Sequence, residues 1–216
     1  MIERNLESEL EQSFIDLQIL PDQQKYLKAY FELLGVKDKP TRDHCIRVGL
    51  KCKDVAVFTN ITDPKSLYYP GLLHDAGKLT VKSESLKKVD GFSESDMQEL
   101  KSHVMEGYKM LRGHHDFSAN VLLYHHWFQG ERSYPDVMPE MDRKFSRGTE
   151  VTIMYLARLL SVVDFWDAAT TRANEKFTAD GTTRIKSPQE VRELILKHNP
   201  DQKYVINRLY DSGIFI

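Results

Sequence analysis

An adjacent histidine and aspartate close an apolar run in Leu72-Leu73-His74-Asp75-Ala76-Gly77-Lys78, with a glycine and a lysine behind them. Consecutive side chains at the end of a helix point about 100° apart. The pair therefore suits a metal cluster in which the carboxylate bridges two ions and the imidazole binds one. Such a cluster needs further imidazoles and one more carboxylate from other parts of the chain. His44, His103, the pair His125-His126 and Asp164 are the candidates. With His74 and Asp75 they make up the mixed imidazole and carboxylate set that Mn, Fe, Co, Ni or Zn accepts.

Helices must bring these residues to one point. Thr41, after Pro40, reads as the N-cap of a helix to about Asn60, which places His44, Val48, Cys52 and Val55 within about 80° on its wheel. A second helix runs from about Lys65 to the His-Asp pair, with Pro70 in its first turns or between two short helices. Ser93 and Asp96 form an approximate capping box for a helix to about Arg112, with Leu100, His103, Gly107 and Leu111 as its buried stripe. Asp116 or Ser118 opens a helix that ends in His125-His126, and a polar loop with prolines follows to Pro139. From Glu150 to about Arg172, Ile153, Ala157, Leu160, Asp164 and Ala168 share one stripe. An unpaired buried carboxylate costs several kcal/mol, so Asp164 is expected to be paired, hydrogen-bonded or metal-bound. His114-His115 and His198 read as surface residues.

Around these lie two amphipathic helices, 3–20 and 22–35, the second started by Pro21-Asp22 and ended by Gly35. A turn-rich loop, 178–186, precedes two closing helices opened by Ser187-Pro188-Gln189-Glu190. No convincing pair of alternating strands is present, so the class is all-α. At 216 residues the chain suits one domain. A net charge of -2 with scattered lysines excludes a phosphate-backbone surface for long nucleic acid. Neither an apolar leader nor a stretch of about 18–20 apolar residues occurs, so no membrane association and a cytoplasmic location are expected. Cys45 and Cys52, about 10 Å apart along one helix, are too distant for a disulfide and read as core thiols.

His44, His74-Asp75-x-Gly77-Lys78, His103 with Gly107, His125-His126 and the run Val163-Asp164-Phe165-Trp166-Asp167-Ala168 resemble, in order and spacing, the HD superfamily of metal-dependent phosphohydrolases. Within it the chain is most similar to the HD-GYP subgroup, the cyclic di-GMP phosphodiesterases. The resemblance covers about 41–212 and divides the chain into N-terminal helices, 1–40, and an HD-like domain, 41–216. It implies a helical bundle around a dinuclear centre. His44, His74 and Asp164 would hold one ion, His103, His125 and His126 the other, with Asp75 bridging. The subgroup's His-His-Glu and Gly-Tyr-Pro are here His125-His126-Trp127 and Ser133-Tyr134-Pro135, with Gly130 displaced by one. Its Arg-Pro-Tyr is Arg172-Ala173-Asn174, one residue early. Pro40 replaces the glutamate that serves a third metal in some members, so two ions are expected, Fe or Mn first and Ni, Co or Zn as alternatives.

The chemistry implied is two-metal phosphoester hydrolysis, with Asp75 and Lys78 as catalytic residues and Lys78, Arg172 and Tyr134 as substrate contacts. The leading expectation is a phosphodiesterase on a cyclic dinucleotide. Its alternatives are a phosphohydrolase of mononucleotides and a non-catalytic metal-binding sensor, with a di-iron oxygenase as the outlier. The loop from Gln129 to Pro135 is a candidate surface for a protein partner, and a homodimer is compatible with the sequence.

Overall fold

Helix starts are set largely by local side-chain chemistry. The computed structural model describes residues 5–60, 63–88, 91–128, 133–140, 143–172 and 185–216. Among them are the α-helices α1 (Leu6–Asp16), α2 (Pro21–Lys37), α3 (Lys39–Thr59), α4 (Lys65–Leu73), α5 (Ser83–Lys87), α6 (Glu94–Lys101), α7 (His103–Leu111), α8 (Asp116–Leu123), α9 (Arg147–Thr171), α10 (Pro188–His198) and α11 (Lys203–Asp211). A 3-10 turn, Ala76–Leu79, follows α4, and no strand occurs among the described residues. The fold is all-α. Both expected capping boxes form, at Ser93 with Asp96 and at Ser187 with Glu190.

Several boundaries differ from expectation, each for a local reason. Asp38, not Thr41, caps α3, because its carboxylate accepts from the Thr41 amide at 3.0 Å. Gly35 does not end α2. The helix passes through it to Lys37, and a Cβ there would stand 2.8 Å from Arg42 Cδ. Pro70 lies inside α4. The helix expected from Ser93 to Arg112 is two, broken at Ser102, and Leu100 is only half-buried. His125 and His126 follow α8 in a turn rather than ending the helix. Ser146 caps α9, which therefore starts ahead of Glu150. The 178–186 loop lies mostly outside the described residues.

Two apolar clusters form the core, and α3 and α8 contribute to both. Val48, Cys52 and Val55 of α3 and Val121 of α8 pack with α9, α10 and α11, around Leu160, Val163, Ile195 and Phe215. Cys45, Ile46 and Leu50 of α3 and Leu122 of α8 pack with α1, α2 and α4, around Phe14, Leu27, Leu34 and Leu72. Cys45 and Cys52 are buried free thiols. Glycines let the site helices approach: a Cβ on Gly49 would lie 2.2 Å from Leu72 Cδ2, and one on Gly77 would lie 1.9 Å from the carbonyl oxygen of His103. No helix among the described residues is long and apolar enough to cross a membrane.

Candidate metal centre

Inward-facing positions on α3, α4, α7, α8 and α9 deliver the polar cluster. His44 is on α3, His74 and Asp75 leave the end of α4, His103 starts α7, His125 and His126 follow α8, and Asp164 is on α9. His44, His74, Asp75, His103 and His125 are buried, whereas His126 and Asp164 are half-buried. All seven expected ligands converge.

Their orientation is fixed from behind. His74 Nδ1 donates to the Gly71 carbonyl at 2.9 Å, His103 Nδ1 to Leu100 at 2.5 Å, and His125 Nδ1 to the Leu122 carbonyl. Each partner is three residues earlier, so the local turn itself holds the ring. His44 Nδ1 donates instead to Asp167 Oδ2 at 2.6 Å. These acceptors place the ring proton on Nδ1 and leave Nε2 with a lone pair aimed inward, as a metal-ligating imidazole requires.

The inward atoms are closely spaced. His44 Nε2 lies 3.3 Å from His74 Nε2 and 3.0 Å from Asp164 Oδ1. Asp75 spans the cluster, with Oδ2 3.4 Å from His74 Nε2 and Oδ1 3.3 Å from His103 Nε2. Ligand atoms within 4.8 Å of one another form the groups His44, His74, Asp75; His74, His125, Asp164; and His103, His125, His126. His125 thus belongs to two groups rather than only to the His103 side. The buried Nε2 atoms of His103 and His125 have no hydrogen-bond partner. Buried lone pairs without a partner are costly, and a cation among them removes that cost. The donor set fits a divalent transition metal.

Electrostatics agree with this. Burial pushes His103 down to about 4 and His125 down to about 3, and it takes His126 well below the ordinary range. These rings are neutral donors at pH 7. Burial alone would also lower His74, but Asp75 and Asp164 raise it. Burial would raise Asp75, yet Lys78 and the imidazoles of His74, His103 and His44 hold it well below the usual carboxylate range. Asp164 is kept low, against burial, by His44 and His74.

Lys78 donates to Asp75 Oδ2 at 2.6 Å. The Tyr134 ring stacks on His126 at 4.4 Å and meets His103 edge-on at 5.9 Å, with Lys101 Nζ 5.7 Å from its centre. Arg172 caps the C-terminus of α9, two turns beyond Asp164 and about 12 Å along the axis. Its guanidinium is close enough to Tyr134 to act electrostatically on that hydroxyl. Gln129 and Gly130 of the adjoining loop, and Ala173 and Asn174, lie outside the described residues. His114 is exposed, as expected, while His115 is half-buried against Tyr69.

Sequence reading missed the support behind His44. Arg47 grips Asp167 with two bonds, Nε to Oδ1 at 2.8 Å and Nη2 to Oδ2 at 2.9 Å. Burial would raise Asp167, but His44 and Arg47 hold it at about 2. A signal was present: Arg47 lies three residues after His44 and Asp167 three after Asp164, on the same helical faces.

Residues 41–169 match the model of the HD domain family. A search of curated proteins finds no match. With the match covering more than half of its length and the His/Asp cluster lying inside the matched region, the chain belongs to the HD domain family, whose members are generally metal-dependent hydrolases.

Proposed function

We propose that the chain is a phosphodiesterase that opens a small cyclic dinucleotide, cyclic di-GMP or a close relative, at a centre of two divalent ions, Fe or Mn in preference to Ni, Co or Zn. The observation that carries this reading is the position of Asp75, whose two oxygens face different histidines across the cluster. One carboxylate can thereby serve two ions. His44, His74 and Asp164 would complete one set and His103, His125 and His126 the other. The bound ions supply Lewis acidity and lower the pKa of water.

The protein's own groups do the rest. The Nδ1 hydrogen bonds hold the imidazoles in one tautomer and one direction before metal arrives. Lys78, fixed on Asp75, brings a cation to the edge of the cluster, where it can neutralise charge that develops on a phosphate oxygen. Tyr134 offers a ring edge and a hydroxyl beside His126, and Arg172 offers a guanidinium on the rim. Rim contacts matter most for a second cleavage, because the linear product must rebind with its remaining phosphodiester over the centre. The altered rim therefore favours stopping at the linear dinucleotide.

One observation favours a second reading. The Tyr134 ring lies against His126 and narrows the approach on that side, which suits a mononucleotide phosphoester. The experiment is chromatography of products from Mn- or Fe-loaded protein given cyclic dinucleotides, linear dinucleotides and nucleotides. Cyclic di-GMP converted mainly to the linear dinucleotide supports the proposal. Turnover of mononucleotides alone moves the assignment to the second reading, and no turnover with metal bound makes the chain a metal-binding sensor.

A further inference from the structure

Helix α2 carries two apolar faces, and its own core uses one. Leu27, Tyr30, Phe31 and Leu34 turn inward and are buried. Asp22, Tyr26, Ala29, Leu33 and Val36 fall within about 80° on the other side of the wheel. Tyr26 is 47 %, Leu33 62 % and Val36 89 % exposed. The stripe continues into a groove whose opposite wall is Ala76 and Leu79 of the 3-10 turn and Met110 of α7. Exposed apolar residues scattered singly need no explanation, but a contiguous stripe beside an apolar groove does.

We infer that this face is a two-fold interface between two copies of the chain, with α2 packed antiparallel on α2 of the partner subunit. The charge pattern along the stripe argues for a second copy. With the two-fold axis between Ala29 and Tyr30, the small Ala29 sits at the crossing and lets the helices approach. Tyr26 then meets Leu33 of the partner subunit, and Asp22 at one end meets Lys37 of the partner subunit at the other. The symmetry makes each contact twice. A parallel arrangement would set Asp22 against Asp22 and Lys37 against Lys37. Antiparallel macrodipoles also attract.

Asp22 is free to engage in this way, since its present contact is an exposed Lys25 at 3.4 Å, a pair worth little. End-to-end charge contact requires a shallow crossing, about 20°, as in knobs-into-holes packing. A helix of 17 residues is about 25 Å long. Its stripe and the groove give an interface at the small end of specific ones, for which association in the micromolar range is the one to test.

Sedimentation velocity from about 1 to 200 µM, a range that spans micromolar association, tests the inference. The parent chain should pass from monomer to dimer. Leu33→Glu should weaken association at least about tenfold. Asp22→Lys and Lys37→Asp should each weaken it by about threefold or more, and the double variant should restore it, since each cross-subunit pair is then reversed intact. The charge variants keep the test open if Leu33→Glu folds poorly. A chain that stays monomeric at the highest concentration overturns the inference, and so does a dimer indifferent to Leu33→Glu. A double variant weaker than either single change overturns the antiparallel register and with it the proposal.

Discussion

At the scale of single residues, the donors of the centre differ in what holds them. His74, His103 and His125 are oriented by carbonyls of their own turns, so no other side chain is needed to set their tautomer. His44 depends on Asp167, and Asp167 on Arg47. Asp167→Ala should therefore weaken metal binding by about 10–100-fold in a titration with Mn, while the fold persists. Unchanged affinity would show that the backbone alone orients His44. Lys78 occupies a different role. Lys78→Ala should keep the metal and melt within about one degree of the parent, because bound cations then neutralise the buried Asp75 in its place, yet hydrolyse its substrate much more slowly. Full activity would confine Lys78 to holding Asp75 in place. Asp164 was legible in the sequence because a carboxylate in an apolar stripe demands a partner. Asp167, one turn on, carried only the three-residue spacing that it shares with Arg47, since its role depends on where the far nitrogen of His44 points, and tertiary packing decides that.

The same residues predict how metal-free protein responds to acid. An unfolded chain protonates its histidines near 6.5, whereas burial holds native His103 neutral down to about 4 and His125 down to about 3. Between those values the unfolded state binds more protons, so stability falls as pH falls from about 6.5. His74 is shifted upward by Asp75 and Asp164, so its contribution is present at low pH and opposes part of the loss. Thermal melts of chelated protein should show the midpoint dropping from pH 6.5 toward pH 4. A flat profile would mean that these rings are solvated or paired in the native state.

At the scale of elements, the centre depends on how closely the turn after α4 and the start of α7 approach. Gly77 and Gly107 make that contact: a Cβ on Gly77 would lie 1.9 Å from His103 O and 2.6 Å from Gly107 N, both backbone atoms that cannot swing aside. Gly77→Ala should push α7 away from Asp75. Overpacking against side chains typically costs about 1–3 kcal/mol, and against backbone more. Denaturant unfolding should register a loss of at least about 3 kcal/mol, with metal affinity falling in parallel. A stable, metal-loaded Gly77→Ala variant would refute the contact. The longer helices were readable from apolar spacing, and the Ser93 and Ser187 capping boxes from local chemistry, whereas the five-residue α5 was not read. The break at Ser102 was not. Its backbone stays helical, φ -61° and ψ -21°, and no glycine or proline marks it. The cap at Asp38 was masked in the same way, since Pro40-Thr41 offers an equally good local start, and the choice follows from how α2 delivers the chain to α3.

At the scale of the whole molecule, a cluster fed by α3, α4, α7, α8 and α9 ties together segments from both apolar clusters of the core. Without cations, the buried Nε2 atoms of His103 and His125 have no hydrogen-bond partner. That desolvation opposes folding, so the core must hold the site together until metal relieves it. Binding to the native state alone adds RT ln(1 + [L]/Kd), about 2.7 kcal/mol at a hundredfold excess over Kd. For a domain of this size each kcal/mol moves the midpoint by roughly 2–4 °C. Chelation should lower the melting temperature by roughly 5–10 °C, and Mn or Fe should restore it. His103→Ala should show a smaller shift and about half the bound metal, because it strips donors from one side of Asp75 and leaves His44, His74 and Asp164 in place. Elemental analysis that finds no metal, with a melting point indifferent to chelator and to added Mn or Fe, would mean that the lone pairs are satisfied by water or protons and that the convergence of five helices serves packing alone.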